Sequence, residues 1–143
     1  MRNGLILSTW FVFVLIAAGM MACGSNSGLR TLTISPSTAD AQDFANGQVQ
    51  FTANGTYAGS SQTAPVNVMW WNSEPWKALP SSAPTPPPGF FISTDGLAAC
   101  STSGPLSGTF TVWATAPVDP MVPASQMTAK TKQLTATAQL TCP

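Results

Sequence analysis

The chain has 143 residues, a formal net charge of zero, 7% charged residues and no histidine. That length suits one sandwich-sized domain behind a leader, and the missing histidine excludes Ser–His and Cys–His catalysis and histidine-bound metals. With Arg2 set aside as part of the leader, four basic groups face five acidic ones. No basic patch follows a phosphate backbone, so nucleic acid is not an expected partner.

Residues 1–22 read as a targeting segment. Met1-Arg2-Asn3 is a short positive start, and Leu5 to Ala18 is an apolar run of the length of a signal-peptide core. Gly19-Met20-Met21-Ala22-Cys23 follows. Small residues ahead of a cysteine, straight after such a run, resemble the lipobox of bacterial lipoproteins, although Met20 stands where leucine is usual. The resemblance implies cleavage before Cys23, a diacylglyceryl group on its thiol and attachment to the membrane through that lipid. Gly24, in place of Asp, implies the outer membrane under the best-known sorting rule of that family. The alternative is an uncleaved membrane helix, because Gly4 to Ala22 approaches the length needed to cross a bilayer. Residues 23–29 read as a flexible polar tether and residues 30–143 as the folded domain.

With Cys23 given to lipid, Cys100 and Cys142 remain, and in an exported chain two leftover thiols are expected to pair. Closing that loop stabilises the fold by about 4 kcal/mol in the chain-entropy model. The competing reading, a metal site, has two cysteines and no histidine to offer, so neither a metal nor another cofactor is expected.

The rest of the chain is a series of short alternating runs separated by turn residues, which is the pattern of an all-β sandwich. Leu32 and Ile34 alternate with threonines until Pro36. Asn46-Gly47 is a turn signal, and Val49, Phe51 and Ala53 form the inward phase of the next strand. Pro65 to Trp71 is the central strand, with Val66, Val68 and Trp70 inward and Asn67, Met69 and Trp71 outward. Ser81 to Pro88 is too rich in proline to sit inside a sheet and reads as an extended connection along an edge. Phe90 and Ile92 lead to an Asp95-Gly96 turn. Phe110, Val112 and Ala114 form one inward phase, and Leu134, Ala136, Ala138 and Leu140 another, with Cys142 in the same phase. Val49, Phe51, Val68, Trp70, Phe110 and Val112 are the expected core. No helical periodicity is sustained after residue 29.

Four segments then carry a family resemblance. Gly47 to Ala53, Trp70-Trp71-Asn72-Ser73-Glu74-Pro75, Ile92 to Leu97 and Gly108 to Ala114 resemble, in order and spacing, group 2 of the bacterial Ig-like domains. The resemblance implies an immunoglobulin-like β-sandwich of about seven strands. The proline-rich insertion and the long Pro117–Lys132 connection depart from the family pattern. In an Ig-like order the last two strands are antiparallel, so Cys100 and Cys142 belong at one end of the domain. The tether and the Pro117–Lys132 connection belong at the other end, facing the membrane.

Little in this chain can do chemistry. Its five carboxylates, Asp40, Asp43, Glu74, Asp95 and Asp119, fall in different connections. A glycosidase needs two facing across a cleft, and a calcium site needs several with carbonyls, whereas single carboxylates in sandwich loops are usually solvated turns. The expectation is therefore a non-catalytic envelope module for adhesion, assembly or protein interaction. Met69, Trp71 and Trp113 lie in outward phases of neighbouring strands and form the candidate binding surface, for an envelope protein or, alternatively, for a glycan. The competing reading is that loops bearing Leu79, Phe91 or Met121 cover them as a second small core. Trp76 fits either reading.

Overall fold

The computed structural model describes residues 28–76, 89–102 and 107–143. The leader, Cys23, most of the tether, Leu79 and the 81–88 connection lie outside the described residues. Among those described there is no α-helix, only ten strands and three single-turn 3-10 helices.

The strands are β1 (Leu29–Ser35), β2 (Thr38–Asp40), β3 (Gln48–Gln50), β4 (Thr52–Tyr57), β5 (Thr63–Pro65), β6 (Met69–Trp71), β7 (Phe90–Ile92), β8 (Leu97–Cys100), β9 (Gly108–Pro117) and β10 (Gln133–Cys142). They form three sheets, ordered β1-β4-β5, β3-β8-β7 and β2-β10-β9-β6. The result is an all-β, sandwich-like fold. It has ten strands where about seven were expected, and the excess has one cause: three runs change partner partway along.

The first change is at the cis Ser35–Pro36 bond. Before it, β1 pairs antiparallel with β4; after it, β2 pairs parallel with β10. The second is at Phe51, between β3 and β4. Gln48 to Gln50 pair with β8, the Phe51 amide donates to the Gly96 carbonyl at 2.9 Å, and from Thr52 onward the chain pairs with β1. The two three-stranded sheets are thereby joined through one continuous segment. The third change corrects the expected central strand. β5 pairs with β4, whereas β6 pairs with β9 in the four-stranded sheet. Residues 66–68 carry the chain between sheets and belong to neither ladder, apart from the Val66 amide donating to the Ala53 carbonyl.

The core lies between the joined sheets and the four-stranded one. It gathers Ile34, Val49, Phe51, Phe90, Ala98, Val112, Ala114, Ala138 and Leu140, with Val68, Trp70, Ile92 and Phe110 partly buried against it. Alternation of apolar and polar residues on β3, β10 and the first part of β9 places one face of each strand inside. Two turns meet the expectations for them. Asn46 and Gly47 both take positive φ, 58° and 64°. Gly96, at φ 87°, closes the 93–97 turn and lies so close to Phe51 that a Cβ there would sit 2.4 Å from the Phe51 carbonyl oxygen. Only glycine fits this position.

Cys100 and Cys142 form a disulfide, with Cα atoms 5.7 Å apart. Cys100 lies opposite Phe90 at the end of β8, and Cys142 lies opposite Gly108 at the end of β10. The bridge therefore ties the two sides of the sandwich at one end. At the other end, the Leu29 amide donates to the Val118 carbonyl at 2.8 Å and the Ala58 amide to the Gly28 carbonyl at 2.9 Å. The chain thus enters the domain beside the β9–β10 connection, at the end away from the disulfide. β1 begins at Leu29, already buried and one residue ahead of the expected domain start.

Candidate functional site

β6 is an edge strand of the four-stranded sheet, and its three residues are each half-buried. Met69 lies opposite Thr115, Trp70 opposite Ala114 and Trp71 opposite Trp113. Residues directly across a ladder share a face. Trp71, Trp113, Met69 and Thr115 therefore lie on the outer side of the sheet, while Trp70 packs against the core.

The candidate surface is thus assembled as one patch, but it is not an open platform. Trp113 is half-buried, like Met69 and Trp71. The indole N–H of Trp71 donates to Thr115 Oγ1 at 2.9 Å. Its ring meets that of Trp76 edge-on, with centroids 5.0 Å apart and planes at 64°. Trp76 reaches this position from a backbone with φ 60°, uncommon for a non-glycine residue. Thr115 itself has 0% exposure although it lies in the outward phase. The β9–β10 connection also folds back, with its 3-10 turn (Ala124–Gln126) against β9 and Met127 buried. Phe91 and Met121 do not supply the cover: they are 54% and 85% exposed.

Thr115 is the residue of this patch that sequence reasoning does not single out, and Trp76, which fitted either reading, lies against Trp71. A threonine in an outward phase carries no mark of burial. The left-handed backbone that turns Trp76 back onto Trp71 has no glycine or asparagine to announce it.

Beside the patch, an open groove of about 530 Å³ separates residues 65–68 from the β9–β10 connection. Tyr57, Val66, Val68 and four prolines (65, 117, 120 and 123) are among its lining residues, and none of those residues is charged. It offers shape and a mixed polar and apolar surface, without a carboxylate, cysteine or histidine in its lining.

Three of the carboxylates, Asp40, Asp95 and Asp119, serve local turns. Asp40 Oδ1 accepts from the Gln42 amide at 3.0 Å and caps the 3-10 turn of residues 41–43. Asp119 Oδ1 accepts from the Met121 amide at 2.9 Å. Asp95 accepts from the Ser93 hydroxyl, and this bond foremost, with a backbone hydrogen bond second, holds its carboxyl below the usual aspartate value. Among the described residues, no three Asp, Glu, Cys or His side chains come together as metal ligands.

The chain matches no protein-family model and no curated sequence. The likeness to group 2 bacterial Ig-like domains therefore rests on the quoted segments alone.

Proposed function

We propose that this chain is a non-catalytic, lipid-anchored Ig-like module of the bacterial cell envelope, held in the outer membrane and serving adhesion, assembly or protein interaction. The observation that carries the reading is the division of its three cysteines. Cys100 and Cys142 are joined in the domain. Cys23 is left alone behind an apolar run and a lipobox-like segment, six residues before β1 begins. Disulfides belong to exported chains, which agrees with a leader and an anchor. The strand order supports the Ig-like element. β2 runs parallel to β10 at the edge of the four-stranded sheet, and the joined β4/β3–β8–β7 strands lie across the core from it.

The test is acylation. Cells fed a clickable fatty acid should label the wild-type protein and recover it in the outer-membrane fraction, whereas Cys23→Ala should carry no label. Equal labelling of both would remove the anchor from the reading.

A second reading is a carbohydrate-binding module. The cluster of Trp71, Trp113 and Trp76 favours it, since indole faces stack on sugar rings and Trp76 is the exposed member. Retention on cell-wall or plant polysaccharides that is lost in Trp76→Ala would support it. Passage through every such column at the void volume would dismiss it.

A further inference from the structure

Among the described residues, the basic groups of this nearly neutral domain gather at one end. Arg30, Lys130 and Lys132 are the basic residues among those described, and all three lie where the chain enters the fold. The backbone brings them together: the Leu29 amide donates to the Val118 carbonyl, and the Val118 amide donates to the Lys132 carbonyl, at 2.8 and 2.9 Å. Arg30 and Lys132 line one shallow depression of about 350 Å³. Lys130 is exposed in the adjoining turn, where the Thr131 amide donates to the Thr128 carbonyl. Asp119 lies in the same connection, and its Oδ1 accepts from the Met121 amide. Asp40 lies at the opposite end, across from Thr141 near the disulfide, with Asp43 three residues on. Asp95 lies between the two ends, in the turn beside Phe51, where its carbonyl accepts from the Gln50 side chain. In the same β9–β10 connection, Met121, two residues after Asp119, has 85% of its surface in solvent.

We propose that this end of the domain is a docking face for anionic lipid headgroups, with Arg30, Lys130 and Lys132 meeting the phosphates and Met121 entering the interface. The inference rests on the lipid-anchor reading above and adds to it a specific face, orientation and lipid class. Residues 24–28 separate the acylated Cys23 from β1, and that tether spans roughly 17 Å when fully extended. The basic end is therefore kept within reach of the bilayer, while the Asp40 end is carried outward. Screening over about 8 Å at physiological salt makes such attraction effective only at close approach, which the anchor enforces. A basic surface with one exposed apolar side chain matches the chemistry of an interfacial binder more closely than that of a buried protein interface, where lysine is depleted.

The experiment uses the acylated protein in vesicles of phosphatidylcholine, with and without phosphatidylglycerol. Lysine-reactive labelling is read by peptide mass spectrometry at Lys130 and Lys132, and peroxide oxidation at Met121. On anionic vesicles at low salt, labelling of both lysines should fall about fivefold relative to neutral vesicles and recover at high salt. Met121 should be protected in step. In Lys130→Glu/Lys132→Glu, two exposed changes away from the core, that protection of Met121 should disappear. If the protein floats with both vesicle types while labelling is the same on each, the docking face is wrong and the anchor stands. If it floats with neither, the anchor reading fails and this inference fails with it.

Discussion

Replacing Thr115 by valine removes one hydroxyl and almost no volume, at a site with no solvent exposure. The loss falls on Trp71, whose indole N–H donates to that oxygen at 2.9 Å. A net hydrogen bond is worth about 1 kcal/mol, and a half-buried donor left without its acceptor adds up to about another. Thr115→Val should therefore cost about 1–2 kcal/mol. Trp71→Phe removes the donor and shrinks the ring that meets Trp76, and should cost about 2–3 kcal/mol. The double variant loses the same bond only once, so it should be more stable than the sum of the two by about 1 kcal/mol. Urea unfolding followed by far-ultraviolet circular dichroism reads this without relying on tryptophan emission, provided the m-value is unchanged. Strict additivity, within about 0.3 kcal/mol, would refute the reasoning. Trp71 would then be free to rotate outward, and the case for an open aromatic platform would revive.

Three other outcomes are expected. Cys100→Ala/Cys142→Ala should lose about 4 kcal/mol, because the bridge closes a loop with a sequence separation of 42; an unchanged urea midpoint would contradict this. Gly96→Ala should cost about 2–4 kcal/mol, since its φ of 87° suits only glycine and the new Cβ would meet the Phe51 carbonyl. A loss below about 0.5 kcal/mol would mean that the 93–97 turn can be rebuilt. Asp95 should titrate below the ordinary aspartate value of about 3.9, and Ser93→Ala should raise its midpoint. Because the folded value is depressed, the stability it contributes is complete above the ordinary value and is lost as pH falls through the folded one. An NMR titration placing Asp95 at or above the reference value in the wild type would overturn this assignment.

Much of the core was legible because burial on one face imposes a two-residue period. Val49, Phe51 and Val112 announce themselves by alternation and are fully buried. The Asn46-Gly47 and Asp95-Gly96 turns were legible for a different reason: their backbones need φ values that few residues adopt. The disulfide followed from compartment and count, not from local pattern. Partner changes were hidden. Nothing local at Phe51 says that its strand trades β8 for β1, since the trade depends on where distant segments end. The same holds for residues 66–68, whose alternation is intact although they lie between ladders. β8 was also silent, because Ala98 and Ala99 have little strand preference and owe their place to β3 and β7 on either side. At the candidate surface, alternation put Met69, Trp71 and Trp113 on one face, but the extent of their burial was set by Trp76 and the β9–β10 connection, which the strand period does not describe.

The most direct measurement is the intact mass of the protein from the membrane fraction, taken before and after reduction. The account predicts a chain beginning at Cys23 with added acyl mass, gaining two hydrogens on reduction as the Cys100–Cys142 bond opens. A full-length chain without acyl mass would contradict it. Residues 4–22 would then be retained, Cys23 would be a free thiol, and the domain would have to be held at the membrane, or released from it, by some other means.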